Sequence, residues 1–242
     1  MFSIFEIMNT STPAYFLPGT MCDQRLWQPV WEKLPNSTKH FISLSQGNSF
    51  TELTTHVHQQ MSTSPSHLVG FSMGGYVALQ YALTYPERIK SLVLVASSAK
   101  GLQEEELKMR EYSLQYLKEM AYNGISQTRI KQMLHPSQLH RTDVVNTIKE
   151  MDKTLGKEVL IAQLEATSKR ISLLDQLSTL TFPVLMIGST ADQIVPITDL
   201  LEMYPLLEEG KLTQMEGCGH MIPLEKPEEL AAALNDWFIF YT

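Results

Sequence analysis

The sequence predicts an α/β fold in which a mostly parallel central sheet is flanked by helices and carries an inserted helical cap. Short apolar runs recur with helical patterns between them, an alternation typical of parallel strands joined by crossover helices. Several runs, such as LVLVA and VLMI, are continuously apolar, as strands buried on both faces are. The alternation stops between Gly101 and about Ser178, where helical periodicity continues without a convincing strand.

Apolar runs bounded by turn residues mark the predicted strands. These runs are Ala14 to Leu17, His40 to Leu44, His67 to Gly70, Ser91 to Ala96, Pro183 to Ile187 and Lys211 to Met215. Two flanking helices have clear limits, because Ser72 to Leu83 stops before Tyr85-Pro86 and Pro227 to Phe240 begins with proline. We expect a core of residues 1–99 and 179–242 with a cap at 100–178.

The insertion has the pattern of four helices. The first ends at Asn123-Gly124, and Ser126 is placed to cap the second. Asp143 is expected to cap the third, which closes at Gly156, and the fourth runs roughly from Lys157 to Lys169.

Charge also separates the insertion from the rest of the chain. The chain has 19 basic and 26 acidic side chains, of which 12 and 11 fall in residues 100–178. The insertion is therefore nearly neutral (+1), whereas the remainder has a net charge of −8. This contrast indicates that the insertion is a lid that covers a functional site. The alternative is a helical subdomain without a function at the site.

Composition excludes several classes of protein. The 242 residues have globular proportions and a net charge of −7, without the clustered Lys and Arg of nucleic-acid recognition. No run approaches 18 apolar residues, and the start lacks the basic region of a signal peptide. Cys22 and Cys218 match no zinc pattern and are interpreted as free thiols. We expect a cytoplasmic monomer or homodimer that acts on a small molecule, without a metal, cofactor, nucleic-acid or membrane partner.

The strongest motif for chemistry is Gly70-Phe71-Ser72-Met73-Gly74, a G-x-S-x-G between a predicted strand and a predicted helix. The chain must turn sharply there, so that the Ser72 hydroxyl projects from the end of the sheet. Backbone segments then approach too closely for a Cβ at position 70 or 74. The helix N-terminus directs free N–H groups at the same point. Ser72 is the predicted nucleophile, and an idle serine in a glycine-rich turn is the alternative.

His220 and Asp192 are the predicted partners of Ser72. A serine hydroxyl needs an adjacent base, and His220 is the one histidine of seven in a Gly-rich loop after the last strand. The imidazole in turn needs an orienting carboxylate. Asp192 follows the predicted PVLMIG strand at the edge where active sites of parallel sheets form, whereas the segment after LVLVA contains no acid.

Two backbone N–H groups are expected to stabilise the negative oxygen that forms when Ser72 attacks a carbonyl group. One is the N–H of Met73, at the start of the predicted helix. The other comes from the PGTMCD loop after the first strand. Thr20 is the first choice for this second donor, and Met21 is the alternative.

The sequence resembles the α/β-hydrolase superfamily, in particular its small capped serine esterases and lactonases. The resemblance lies in the chain order Ser72, Asp192, His220 and in the segments GFSMGG, PGTMCD and GCGHMIPLEKPEEL. The resemblance covers nearly the whole chain. It implies the α/β-hydrolase fold and a hydrolase with a Ser-Asp-His triad and no cofactor.

Three features depart from this family. Pro18-Gly19 stands where His-Gly is common, and Phe71 where His is frequent. The region before Ala14 has room for at most one opening strand, Phe2 to Ile7.

The neighbours of the predicted triad favour an uncharged acyl or aryl group. Met21, Phe71 and Met221 are expected to form an adaptable apolar pocket, although methionine is common in this chain, with 13 residues. Four arginines of the insertion are candidates for binding a substrate carboxylate, with surface placement as the alternative: Arg110, Arg129, Arg141 and Arg170.

The predicted function is a serine hydrolase that cleaves a small, apolar ester, thioester or lactone through an acyl-enzyme on Ser72. One alternative is a carbon–carbon bond hydrolase or lyase of the same fold, which uses the triad for proton transfer. The other is a non-enzymatic ligand receptor that retains the triad.

Overall fold

A six-stranded parallel sheet forms the centre of the computed structural model, which describes residues 12–34 and 38–241. The strands are β1 (Ala14–Leu17), β2 (Lys39–Phe41), β3 (Ser66–Phe71), β4 (Ile89–Val95), β5 (Val184–Ser189) and β6 (Gly210–Met215). Their order across the sheet is β2-β1-β3-β4-β5-β6, and every neighbouring pair is parallel. The predicted α/β fold class is confirmed.

Helices cover both faces of this sheet. The α-helices of the described residues are α1 (Gln28–Trp31), α2 (Phe50–Gln60), α3 (Met73–Thr84), α4 (Glu104–Glu119), α5 (Gln127–Met133), α6 (Thr142–Ser168), α7 (Ile197–Met203), α8 (Ile222–Glu225) and α9 (Pro227–Phe240). Helices α1 and α9 pack on one face, and α2, α3 and α7 pack on the other.

The strands are apolar throughout because both faces of the sheet are buried. In β1, Ala14 and Phe16 belong to one core cluster, whereas Tyr15 and Leu17 belong to the other. Successive side chains of a strand point to opposite faces, so a strand covered on both sides needs an apolar residue at each position.

The second strand is shorter than predicted, and its bounds differ. It covers Lys39–Phe41 instead of His40 to Leu44, and its register with β1 runs from Ala14–Lys39 to Phe16–Phe41. Strand β2 lies at the edge of the sheet, and its neighbour β1 has four residues, so the ladder ends early. The predicted strand Phe2 to Ile7 lies outside the described residues.

The segment between β4 and β5 contains α4, α5 and α6, and we call residues 100–178 the helical insertion. Ser126 caps α5 as predicted, because its side chain accepts the N–H of Arg129. The prediction that Asp143 caps a helix is wrong, since Arg141 is the N-cap and Asp143 lies in the first turn. The third and fourth predicted helices meet at Gly156, where the third was expected to close and where φ 76° and ψ −179° are not helical; the label α6 covers both sides of this kink.

Candidate active site

Ser72 lies at the junction of β3 and α3 in a strained backbone conformation, with φ 52° and ψ −117°. A positive φ is uncommon for a residue other than glycine. The carbonyl oxygen of Val95 accepts the N–H of Ser72 at 2.9 Å. A Cβ at Gly70 would lie 2.4 Å from the Gly74 oxygen, and one at Gly74 would lie 2.3 Å from the Pro18 oxygen. The predicted close approach at both glycines is therefore found, and it fixes the direction of the serine.

The turn at Ser72 and the loop after β1 meet where the strand order reverses. Because β1 pairs with β2 on one side and β3 on the other, the chain leaves β1 and β3 in opposite directions. In open α/β sheets this divergence opens the crevice in which ligands bind. A Cβ at Gly19, in the loop after β1, would lie 3.2 Å from the Cβ of Ser72. The loop after β1 and Ser72 therefore lie next to each other at this crevice.

The side chains of Ser72, His220 and Asp192 form a continuous hydrogen-bonded chain. Oγ of Ser72 lies 2.9 Å from Nε2 of His220, and Nδ1 of His220 lies 2.7 Å from Oδ2 of Asp192. Asp192 and His220 are buried, whereas Ser72 is half-buried and open to solvent. When the carboxylate accepts the proton of Nδ1, the neutral imidazole presents an unprotonated Nε2 to the hydroxyl. This tautomer can accept the proton of Ser72.

Backbone contacts hold the two supporting side chains in place. Oδ1 of Asp192 accepts the N–H groups of Ile194 at 2.7 Å and Val195 at 3.0 Å, which leaves Oδ2 for the imidazole. The N–H of His220 donates to the carbonyl oxygen of Met133 at 2.8 Å. The histidine is therefore supported by α5 of the helical insertion as well as by Asp192.

Two of the predicted oxyanion donors are free. The N–H of Met73 is the first of α3, where an intrahelical acceptor is lacking. Within the described part of the chain, neither Met73 N–H nor Thr20 N–H has a hydrogen-bond acceptor. The N–H of Met21, the alternative donor, is bonded to Oε1 of Gln163 at 2.9 Å. Of these two loop candidates, Thr20 keeps its N–H available.

The residues predicted to line the substrate pocket are almost wholly buried. The ring of Phe71 packs against the imidazole of His220, with centroids 5.0 Å apart. Met21 is 8% exposed and Phe71 is 1% exposed, whereas Met221 has no exposed surface. Met221 packs in the core cluster and offers a ligand no surface unless neighbouring side chains move.

Glu225 is a supporting residue that the sequence analysis does not single out. Its buried carboxylate accepts the N–H of Gly219 at 2.9 and 3.0 Å and the N–H of His135 at 2.8 Å. Burial raises the pKa of Glu225, and the N–H groups that it accepts oppose this shift. The carboxylate joins the loop of His220 to the helical insertion. An acidic residue directly after the apolar run MIPL, five positions from His220, is the sequence signal that points to it.

Arg170 is partly exposed at the surface, and backbone carbonyl groups hold its guanidinium. Its guanidinium is half-buried and donates to the carbonyl oxygens of Ser98 at 2.9 Å and Lys100 at 2.5 Å. It also lies 4.9 Å from the centroid of the Tyr76 ring. Arg170 therefore joins the end of the helical insertion to its beginning.

Both cysteines are buried and free, as predicted. Burial raises the pKa of the Cys22 thiol to about 12, and the charge of Asp23 adds to the shift. Burial raises the pKa of the Cys218 thiol to about 11. The reactive form of cysteine is the thiolate, so neither side chain is a nucleophile near neutral pH.

Residues 12–34 and 38–241 contain no group of three or more His, Cys, Asp or Glu side chains that could hold a metal ion. Over the same residues, we find no helix with the length and apolar character needed to cross a membrane.

The architecture is that of an α/β hydrolase. It combines a parallel sheet with a serine at a sharp strand–helix turn, and this serine is hydrogen-bonded to a histidine that is in turn bonded to an aspartate, both from later loops. Residues 32–227 match the sequence profile of the alpha/beta hydrolase fold family, and the chain belongs to this family. The predicted membership of the superfamily is confirmed.

Individual relatives differ in what they act on. The chain is 24% identical over 200 residues to a 2-hydroxy-6-oxononadienedioate/2-hydroxy-6-oxononatrienedioate hydrolase of Pseudomonas sp, covering 80% of this chain and 70% of the relative. It is 25% identical over 224 residues to a pimeloyl-[acyl-carrier protein] methyl ester esterase of Aliivibrio salmonicida, covering 87% and 85%. A thermophilic esterase of Thermogutta terrifontis has a similar fold, with a TM-score of 0.82 at 20% identity over 95% of this chain and 90% of the esterase.

Proposed function

We propose that the protein is a serine hydrolase that cleaves a small, apolar ester, thioester or lactone through an acyl-enzyme on Ser72. The observation that carries this proposal is the pair of hydrogen bonds from Ser72 Oγ to His220 Nε2, 2.9 Å, and from His220 Nδ1 to Asp192 Oδ2, 2.7 Å. The pair gives an otherwise weak nucleophile a base in the correct tautomer.

In the acylation step, Oγ of Ser72 attacks the carbonyl carbon of the substrate while Nε2 of His220 takes the hydroxyl proton. The N–H groups of Thr20 and Met73 stabilise the negative oxygen of the tetrahedral intermediate. The intermediate collapses when the bond to the leaving oxygen or sulfur breaks. His220 protonates this leaving group, and the acyl group stays on Ser72.

In the deacylation step, a water molecule takes the place of the leaving group. His220 accepts a proton from the water, which attacks the acyl carbon, and a second tetrahedral intermediate forms. Its collapse breaks the bond to Ser72, releases the carboxylic acid and returns the proton to Oγ. Throughout the cycle, the Asp192 carboxylate stabilises the imidazolium that forms twice.

Residues 100–178 act in this proposal as a cap that covers the site and selects the substrate. Its support is that Ile130 and Met133 of the insertion pack in the same core cluster as Phe71. Water exclusion by such a cover strengthens the electrostatic interactions at the reacting carbonyl. The apolar side chains around the serine favour an uncharged acyl group, and no metal or cofactor takes part in these steps.

The variant Ser72→Ala tests this function. Hydrolysis of p-nitrophenyl acetate and butyrate is expected to fall by about 10⁴-fold or more, because the nucleophile is lost. A fluorophosphonate probe should add one covalent group to the unaltered protein and none to the variant, as read by intact mass. Ser64→Ala is the matched control, since Ser64 is exposed and lies before the opposite end of β3. Undiminished hydrolysis by Ser72→Ala contradicts the proposal.

A carbon–carbon bond hydrolase or lyase is the second candidate, and the similarity to the oxononadienedioate hydrolase favours it. The substrate in that relative's name is an oxo-acid rather than an ester. In this alternative, Ser72 and His220 act mainly by proton transfer. An acyl group on Ser72, captured by rapid acid quench and mass spectrometry, supports the ester reaction. Turnover of a vinylogous diketone without such a species supports the alternative.

A further inference from the structure

Gln163 is a buried polar residue on α6. The oxygen and the nitrogen of its side-chain amide each form a hydrogen bond with a backbone group that is distant in the sequence. Its Oε1 accepts the N–H of Met21 at 2.9 Å, and its Nε2 donates to the carbonyl oxygen of Leu44 at 3.0 Å. The side chain is 1% exposed. Because an N–H needs an acceptor and a carbonyl needs a donor, one orientation of the amide satisfies both partners. Gln163 therefore ties the helical insertion to the loop after β1.

Met21, which Gln163 holds, has a left-handed backbone conformation with φ 54°. A residue with a side chain rarely adopts this conformation, which persists where the surroundings enforce it. A second contact from α6 lies beside it, since the N–H of Asp23 points at Sδ of Met151 at 3.5 Å. The shape of the loop after β1 thus depends on α6.

The bond between Met21 and Gln163 also determines which N–H of the loop remains available. The Met21 N–H cannot serve a ligand while Gln163 accepts it. The Thr20 N–H has no acceptor within the described part of the chain. The loop passes close to the serine, because a Cβ at Gly19 would lie 3.2 Å from the Cβ of Ser72. The N–H of the peptide between Thr20 and Met21 therefore points at a side chain of the insertion, and the preceding N–H, that of Thr20, is the one left free in the loop beside Ser72.

We propose that Gln163 is a positioning residue of the oxyanion hole, which holds the Met21 peptide so that the N–H of Thr20 points at the reacting carbonyl oxygen. This inference rests on the proposed serine hydrolase function. Gln163 acts through the loop and does not touch the triad. An apolar side chain at position 163 would leave the Met21 N–H and the Leu44 carbonyl buried without partners, and the loop would turn to satisfy them.

The test compares Gln163→Met, which keeps the side-chain volume but removes the amide, with the unaltered protein. We expect the kcat for p-nitrophenyl butyrate to fall by about 10- to 100-fold with KM changed by less than about threefold. The inhibition constant of butylboronic acid should rise by the same factor as kcat falls, because its tetrahedral adduct places a negative oxygen in the hole. Gln115→Met, on the exposed surface of α4, is the matched control.

The outcomes separate the two proposals. A Gln163→Met variant with unchanged kcat overturns the positioning role and leaves the hydrolase function intact. A lower kcat with an unchanged boronate inhibition constant also overturns it, because general destabilisation would then explain the loss. If the unaltered protein neither hydrolyses esters nor binds the boronate, the proposed function fails, and the inference fails with it.

A measurement without substitution covers the case in which Gln163→Met does not fold. Amide hydrogen exchange, followed by NMR, is expected to find the Met21 amide protected and the Thr20 amide exchanging in the free protein. Butylboronic acid should protect Thr20 and leave Met21 unchanged. If the inhibitor protects Met21 instead, the assignment of the donor and the role of Gln163 are both wrong.

Discussion

The carbonyl oxygen of Met133, the last residue of α5, accepts the N–H of His220 at 2.8 Å. The N–H of Met221 reaches the same oxygen at 3.3 Å. Contact is close here, since a Cβ at Gly219 would lie 2.7 Å from the backbone nitrogen of His135. The helical insertion is therefore part of the frame of the candidate site, because a displacement of α5 would remove the backbone support of the histidine.

Replacement of Glu225 by alanine tests this connection. We expect the free energy of unfolding to fall by about 3 kcal/mol, because the N–H groups of Gly219 and His135 lose a buried acceptor. Urea unfolding measures this change. Glu228→Ala is the control, since that exposed carboxylate pairs with Lys33 at the surface and should change stability by no more than about 0.5 kcal/mol. Equal, small effects in both variants would mean that Glu225 does not hold the loop.

The kink of α6 predicts an unusual effect of alanine at Gly156. Within a regular helix, Gly→Ala stabilises by about 1 kcal/mol. Gly156 instead has φ 76° and ψ −179°, a conformation that is essentially restricted to glycine. Apart from the adjoining residues and the backbone of the same helix, no heavy atom of the described residues lies within 4 Å of an added Cβ, so we expect the penalty to be backbone strain. We expect Gly156→Ala to lower the melting temperature, and a higher one would show that α6 can run straight.

The raised pKa values of the two thiols predict slow reaction with thiol reagents. With pKa values of about 12 for Cys22 and about 11 for Cys218, about one thiol in a thousand or fewer is ionised at pH 8. In an Ellman titration we expect no rapid reaction of the folded protein and two reacting thiols after unfolding in guanidinium chloride. Rapid reaction of one thiol in the folded protein would mean that its site is open and polar.

His67 should make stability depend on pH in the acid range. Burial lowers its pKa from 6.5 to about 4, and Lys90 adds to the shift. The folded protein therefore binds this proton more weakly than the unfolded chain. The contribution of His67 is complete above about pH 6.5 and is lost as the pH falls to about 4, by up to about 3 kcal/mol.

Urea unfolding at several pH values between 7 and 4 measures this loss. His67→Asn is expected to lose correspondingly less stability than the unaltered protein across that interval. His140→Asn, at an exposed position of the insertion, is the control and should keep the pH dependence of the unaltered protein. The same slope in all three proteins would contradict the assignment.

Much of the fold can be predicted because its signals are local. Continuous apolar runs indicate strands buried on both faces, and β1 has the predicted bounds, Ala14–Leu17. Helix α9 has the predicted bounds, Pro227–Phe240, because proline starts it and apolar periodicity continues to its end. The turn at Ser72 is also local, since two glycines allow backbone contacts that any other residue would block. Each signal lies within a few residues of the feature that it predicts.

The sequence alone therefore determined the sheet, the strand–helix turn and the three side chains that form the hydrogen-bonded chain at the site. The tertiary structure decided the length of β2, which depends on its partner, and the identity of the free donor in the loop after β1. It also decided the hydrogen-bond partners of Gln163 and Glu225. The bonds of Gln163 join residues 142 and 119 positions apart, and periodicity and spacing carry no information about such contacts. A buried amide acquires its partners only when the chain has folded around it.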